Sequence, residues 1–327
     1  MIKANITSTG KYLPKNIVTN VDFEKKIDTS DDWIQNRTGI KQRRIVDKNE
    51  TTADMSTLAI KDLLKKRNLD PNDIDVIIVA TITPDMTFPS TSALVQKNLS
   101  ANNAWGFDIS SACSGFLFGL ETGSALIKSN RYNKVIVVGA DTMSSILDYT
   151  DRNTCILFGD GAGAVLLEKS SKYGIIDSKL HIDGNGGEFL KLEGGGSLNP
   201  TTLDTVNNKM HYVYQNGKQV FKHAIKGMSE VSCEILKRNN LSSNDIQLFI
   251  PHQANKRIMD AVATRMGLKP QQMFSNIEYY ANTTAATIPI CIDEAFESGK
   301  ISKNNNLIIS SFGAGFSWGS MYIKWGI

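Results

Sequence analysis

The chain repeats itself at a spacing of 172 residues. Asn72-Asp73-Ile74 leads into one apolar, β-branched run and Asn244-Asp245-Ile246 leads into another, 244 − 72 = 172 positions later. Leu69 and Leu241 stand the same distance apart, as do the apolar runs that begin at Val135 and Leu307. Self-similarity at a fixed offset is the mark of a duplicated unit. The competing explanation is that any two strand–helix units look alike, and three landmarks at one offset favour duplication.

The runs Ile74–Thr81, Val135–Gly139, Gly163–Leu167, Leu248–Pro251 and Leu307–Ser311 are short, apolar and bounded by polar residues. Such runs suit strands buried on both faces. Between them, Thr52–Lys66, Gly115–Lys128 and Val220–Leu236 carry apolar residues at helical spacing. Alternation of this kind predicts an α/β fold. Two similar halves, 1–172 and 173–327, packed face to face would make a five-layered α/β/α/β/α core. The stretch Ser171–Asn216, with Gly-Asn-Gly-Gly at 184–187 and three glycines at 194–196, breaks the alternation. It reads as an excursion between the halves, of the kind that often covers a site.

Composition narrows the function classes. Lys and Arg total 36 against 33 Asp and Glu, a net charge of +3 with no basic stripe, so nucleic acid is not an expected partner. No run approaches ~20 apolar residues, so no membrane span is expected. The start, MIKANITSTGKYLP, has no apolar signal segment. Cys113, Cys155, Cys233 and Cys291 form no CxxC pair, which argues against a zinc site or a disulfide framework. A cytoplasmic protein with reduced thiols is the expectation.

Chemistry concentrates at four places. Cys113 follows Phe-Asp-Ile-Ser-Ser-Ala and opens a helical stretch, where the positive end of the helix dipole would favour a thiolate. It reads either as a nucleophile or as a buried core thiol; Cys155, Cys233 and Cys291 read as core. His252, in Pro-His-Gln-Ala-Asn, stands just past a strand, where α/β proteins place ligand-handling groups. Asn282 lies in the small-residue loop 281–289, the repeat counterpart of the Cys113 loop at 108–115. Turn or cap duty is the ordinary role of such an Asn, but a pseudo-twofold would aim both loops at one site. Finally, Ser311–Gly319 is a glycine-rich turn that lets backbone N–H groups approach a developing oxyanion. Its spacing matches neither common phosphate-binding fingerprint.

Eight ordered motifs, TGKYLP (9–14), DDWIQNRTGI (31–40), TFPS (87–90), SACSGF (111–116), FGDGAGA (158–164), PHQAN (251–255), ANTTAATIP (281–289) and FGAGFSWGS (312–320), span essentially the whole chain. Together they resemble the thiolase-like condensing enzymes, and among these the initiating ketosynthases, the β-ketoacyl-ACP synthases III. The resemblance implies a homodimeric acyltransferase. Its substrates would be an acyl-CoA primer, acetyl-CoA or a similar short acyl, and malonyl-acyl carrier protein, and no metal or redox cofactor is implied. It implies catalytic roles for Cys113, His252 and Asn282, and an oxyanion hole from the backbone N–H groups of Cys113 and Ala314. Trp33, Arg37 and Arg152 fall at CoA-contact positions, and Gly217, Phe221, Ala254 and Asn255 at positions lining the pantetheine tunnel. Phe88 falls where the family closes the partner's acyl pocket, and Lys222, Arg257 and Arg265 where a basic rim would meet the acidic carrier. Acyl length would depend on Phe88 and on Thr142–Ser145. The chain departs from the family pattern at Ala281 and Ala314, both usually Gly.

Three rivals stay open at this point. Cys, His and Asn in this order also occur in papain-like hydrolases, although the surrounding motif is absent. A condensing enzyme of specialised metabolism, using another primer or a CoA-bound extender, would share the motifs. A non-catalytic scaffold would have had no reason to keep all three residue types.

Overall fold

The computed structural model describes residues 2–327. The apolar runs form two sheets of matching order. The first contains β1 (Lys3–Tyr12), β2 (Val76–Ala80), β3 (Trp105–Ile109), β4 (Lys134–Asp141) and β5 (Gly161–Ser170), in the spatial order β1–β5–β4–β2–β3. The second contains β6 (Gly174–Ile182), β7 (Leu248–Pro251), β8 (Asn306–Gly313) and β9 (Ser317–Lys324), in the order β6–β9–β8–β7. In both, a parallel pair, β2–β4 in the first sheet and β7–β8 in the second, is followed by two antiparallel strands, β5 and β1 in the first and β9 and β6 in the second. Where the first sheet adds β3 beside β2, the second has only a single parallel bridge from Phe249 to Met273.

Helices fill the remaining layers. Helices α1 (Thr52–Arg67) and α2 (Thr91–Leu99) cover the outer face of the first sheet, and α3 (Gly115–Lys128) packs on its inner face. Helices α4 (Gly217–Arg238) and α5 (Lys256–Arg265) cover the outer face of the second sheet, while α6 (Thr287–Glu297) joins α3 in the middle. Alternation along a strand assigns each face. In β2, Ile77 and Val79 face Ile60 and Leu63 of α1, whereas Val76 and Ile78 face Phe116 and Leu120 of α3. The same central cluster takes in Ile288 and Ile292 of α6 with Leu248 and Ile309 of the second sheet. Each such side chain, fully buried, contributes about 1.5–3 kcal/mol. The expected five-layered α/β/α/β/α architecture is therefore present.

The 172-residue offset extends to the turns. The 3₁₀ turn Ala112–Ser114 before α3 matches Thr284–Ala286 before α6, and Gly115 matches Thr287 as the first residue of each helix, 287 − 115 = 172. Ala112 and Thr284, also 172 apart, both take a left-handed φ, 46° and 49°. The two loops meet, since a Cβ on Gly115 would lie 3.9 Å from the Ala285 Cβ, and the second also abuts β4, where a Cβ on Gly139 would lie 2.1 Å from the Ala285 carbonyl oxygen.

Two expectations need correction. The stretch Ser171–Asn216 is not wholly an excursion, because it begins with β6, an edge strand of the second sheet. Cys233 is exposed rather than in the core, whereas Cys155 and Cys291 are buried. Among the described residues no helix is long and apolar enough to cross a membrane.

Candidate active site

A cavity of about 1060 Å³ opens beyond the carboxyl ends of the central strands, and Cys113, His252, Asn282 and Ala314 all line it. Cys113 reaches it from the 3₁₀ turn before α3. That turn is clamped to the second half: Ser311 Oγ donates to the Cys113 carbonyl at 2.7 Å, and Ser114 Oγ donates to the Ser317 carbonyl at 2.9 Å. Gly313 passes so close that a Cβ there would lie 2.8 Å from the Cys113 nitrogen. Neither the Cys113 N–H, which faces its own thiol, nor the Ala314 N–H donates to a backbone carbonyl among the described residues. Ala314 keeps a negative φ, so its Cβ imposes no strain there.

The thiol departs from the thiolate expectation. Burial pushes Cys113 up to about 12, and the nearby Asp141 carboxylate adds to the rise; hydrogen bonds from its own backbone N–H and from Asn282 only partly offset them. The sulfur is buried at the mouth of a one-turn 3₁₀ segment, and desolvation outweighs the helix dipole there.

His252 follows β7 and is held by its own N–H, which donates to the Ser310 carbonyl at 2.8 Å. Its Nδ1 lies 2.7 Å from Thr287 Oγ1. Burial lowers the imidazole pKa to about 3, so the ring is neutral at physiological pH. Asn282 pairs across the halves, donating its N–H to the Leu157 carbonyl at 3.0 Å and accepting from the Gly159 N–H at 3.1 Å. Its side-chain oxygen accepts the Thr284 N–H at 2.8 Å, which leaves its amide nitrogen for the Cys113 side. By the repeat, the equivalent of Cys113 is Ala285 (113 + 172 = 285), so Asn282 sits three residues upstream of strict symmetry.

The chain matches two family models, 3-oxoacyl-[acyl-carrier-protein] synthase III over residues 107–184 and the C-terminal model of the same name over 236–325. It is 53% identical to the β-ketoacyl-[acyl-carrier-protein] synthase III of Chlorobaculum tepidum, covering 99% of this chain and 100% of that one. The Koribacter versatilis protein of the same name is 48% identical over 99% and 98%. The solved 3-oxoacyl-[acyl-carrier-protein] synthase III of Aquifex aeolicus superposes with a TM-score of 0.92 at 41% identity, covering 98% of this chain and all of that one. This chain belongs to the β-ketoacyl-ACP synthase III family. It is accordingly an acyl-transferring condensing enzyme of fatty acid initiation, and full-length identity near one half disfavours the specialised-metabolism alternative.

Of the positions that the family pattern assigns to CoA, Trp33 and Arg37 line the cavity, and Arg152 does not but stands beside Trp33. Two guanidinium groups lie over the Trp33 ring, Arg37 at 4.7 Å and Arg152 at 5.3 Å from its centroid. Arg152 also pairs with the exposed Asp28 at 3.2 Å. Asn255 caps α5 with its side-chain oxygen and donates its Nδ2 to the Arg37 carbonyl at 2.9 Å, tying the two halves of the mouth together. Gly217, Phe221 and Ala254 line the cavity, and the exposed Arg257 lies over the Phe221 ring at 5.2 Å.

Three synthase III positions fall elsewhere. Phe88 is 82% exposed and does not line this chain's own cavity. Lys222 is exposed on α4 outside it. Arg265 ends α5, eight residues and roughly 12 Å beyond Arg257, and bonds Ser229 instead of reaching the rim. The inner wall was not foreseen in detail. Ile82, Met143, Ile146, Leu157 and Val213 converge there from four separate segments, and only Met143 and Ile146 fall in or beside the expected stretch around Thr142–Ser145.

Proposed function

We propose that the chain condenses an acyl-CoA primer with malonyl-acyl carrier protein in two half-reactions at Cys113. In the first, the Cys113 sulfur attacks the thioester carbonyl, the bond to the CoA sulfur breaks, and the Cys113 proton ends on the departing CoA thiol. The N–H groups of Cys113 and Ala314, neither of which serves a backbone carbonyl among the described residues, receive the tetrahedral oxyanion. In the second, the malonyl carboxylate leaves as carbon dioxide and its electron pair passes to the thioester enolate. His252 and Asn282 donate to that enolate oxygen. The new carbanion forms a carbon–carbon bond to the Cys113 acyl carbon, the sulfur–carbon bond breaks, and the Cys113 thiolate takes a proton from water. Every step is assigned to the chain's own groups, and we propose no metal or redox cofactor.

The observation that carries this reading is the convergence of Cys113, His252 and Asn282, from three loops and both halves, on one cavity. The small apolar wall of Ile82, Met143, Ile146, Leu157 and Val213 suits a short primer such as acetyl. Trp33 with Arg37 and Arg152 would take the CoA head, and Lys222 with Arg257 the acidic carrier. The exposed Phe88 supports a homodimer in which it reaches the partner's site. Mass spectrometry after exposure to a panel of acyl-CoAs tests the scheme. Acylation confined to Cys113 and abolished in Cys113→Ala is expected; acylation that persists in that variant assigns the nucleophile elsewhere.

A further inference from the structure

Thr287 touches His252 but has no part in the scheme above. It is the first residue of α6 and is buried, and its branched side chain restricts χ1. Its Oγ1 lies 2.7 Å from His252 Nδ1 and 3.0 Å from the Thr284 carbonyl oxygen. The hydroxyl has one proton for these two acceptors. The Thr284 carbonyl already receives the Thr287 backbone N–H, so it does not need the hydroxyl. Nδ1 has no hydrogen-bond partner other than Thr287 among the described residues, and Nε2 has none at all.

We infer that Thr287 is a positioning residue whose hydroxyl donates to Nδ1 of His252 and so keeps the ring's proton on Nε2, toward the cavity. The inference rests on the donating role proposed for His252. A neutral imidazole carries one proton, and the nitrogen that bears it is set by the partner of the other. If Nδ1 held the proton instead, Nε2 would face the substrate's carbonyl oxygen lone pair to lone pair. The buried ring cannot escape this by taking a second proton, since burial strongly disfavours its charged form. The same short turn thus orients both donors: Thr284 N–H fixes the Asn282 amide, and Thr287 Oγ1 fixes the His252 tautomer.

Nitrogen-15 NMR of the intact enzyme labelled at histidine reads the tautomer directly. A protonated Nε2 and a bare Nδ1 on His252 are expected; a protonated Nδ1 overturns the inference. Thr287→Val keeps the shape and removes the hydroxyl. It is expected to slow malonyl decarboxylation and condensation about ten-fold or more, the loss of one buried hydrogen bond, while acyl-Cys113 forms at the normal rate. Thr287→Ser is expected to restore condensation. Equal slowing of both half-reactions in Thr287→Val, or no rescue by serine, would show a merely structural role. His252→Ala separates the role of His252 from that of Thr287. If that variant condenses normally, the donating role itself is wrong; if it fails while Thr287→Val condenses normally, only the role of Thr287 is.

Discussion

Thr284, in the second half of the chain, donates its hydroxyl to the buried carboxylate of Asp141, in the first. The same carboxylate accepts from the Ala285 N–H at 3.3 Å, and its other oxygen accepts from the Thr81 and Thr83 hydroxyls at 3.0 and 2.9 Å and from the Ile82 N–H at 2.8 Å. Asp141 therefore pins the turn that carries Asn282 to the loop after β2. It also stands near Cys113 and helps to hold its thiol pKa up.

Asp141→Asn would turn one of these acceptors into a donor facing other donors. The expected cost is on the order of 2–3 kcal/mol, read by denaturant unfolding. A second effect follows from charge. Removing the carboxylate takes away one of the causes that raise the Cys113 thiol, although burial, the larger cause, remains. The pH midpoint for alkylation of Cys113 by iodoacetamide should move downward. An unchanged midpoint would assign the whole rise to burial.

Ala281 sits at φ 56°, ψ −152°, a region that glycine occupies and other residues avoid. The family pattern has Gly there, and the Cβ is strained in a site that is 1% exposed. Ala281→Gly should relieve about 1–3 kcal/mol of strain, less about 0.4–1 kcal/mol for the freer unfolded chain. A higher melting temperature is expected, with condensation activity unchanged because Asn282 keeps its backbone pairing to Leu157 and Gly159. A lower melting temperature would show that the Ala281 methyl group contributes more by packing than its backbone loses.

Much of this was legible in the residues, for a physical reason. Strands buried on both faces must be apolar throughout, so β7 coincided with its expected limits and β2, β4, β5 and β8 were found to within a few residues. Strand β1 was not, because its sequence KANITSTGKY is largely polar. Those polar groups are buried by specific partners: Ser8 Oγ donates to the Leu63 carbonyl at 3.0 Å and Thr9 Oγ1 to Asp293 at 2.7 Å. Partners distant in sequence leave no periodic trace. The same holds for the site. Loop position and repeat pointed to Cys113, His252 and Asn282, which do line one cavity, but the apolar wall is assembled from side chains such as Ile82 and Val213, 131 positions apart (213 − 82). The state of the thiol was missed because a helix start is visible in sequence and burial is not.

The rim charges divide by position. Arg257 lies at the cavity mouth over Phe221, Lys222 follows Phe221 on α4, and Arg265 lies about two helical turns beyond Arg257. Lys222→Glu with Arg257→Glu should raise KM for malonyl-carrier protein about ten-fold or more at low salt, with less effect as salt rises. Arg265→Glu should change it little. Acylation by acyl-CoA should be nearly unaffected in both. Equal effects of the two sets on the carrier step would extend the docking surface down the whole of α5.

His252 also ties stability to pH, with a sign that can be worked out. Its pKa is about 3 when folded against 6.5 as a free side chain. Between these values the unfolded chain binds a proton that the folded chain does not, so this residue makes stability rise with pH across that window and fall on acidification. Asp160 acts in the opposite sense. Burial raises it to about 6 from 3.8, so the folded chain holds the extra proton and stability falls as pH rises between those values. The two contributions partly offset each other near pH 4–6. Replacing His252 with Gln removes one contribution of at most about 1.4 kcal/mol per pH unit. The variant's stability between pH 6.5 and 4, measured by urea unfolding, should therefore fall less on acidification than the wild type's, or rise. Parallel profiles for the two proteins would mean that the His252 ring takes up its proton in the folded state at an ordinary pH, and is not held neutral by burial.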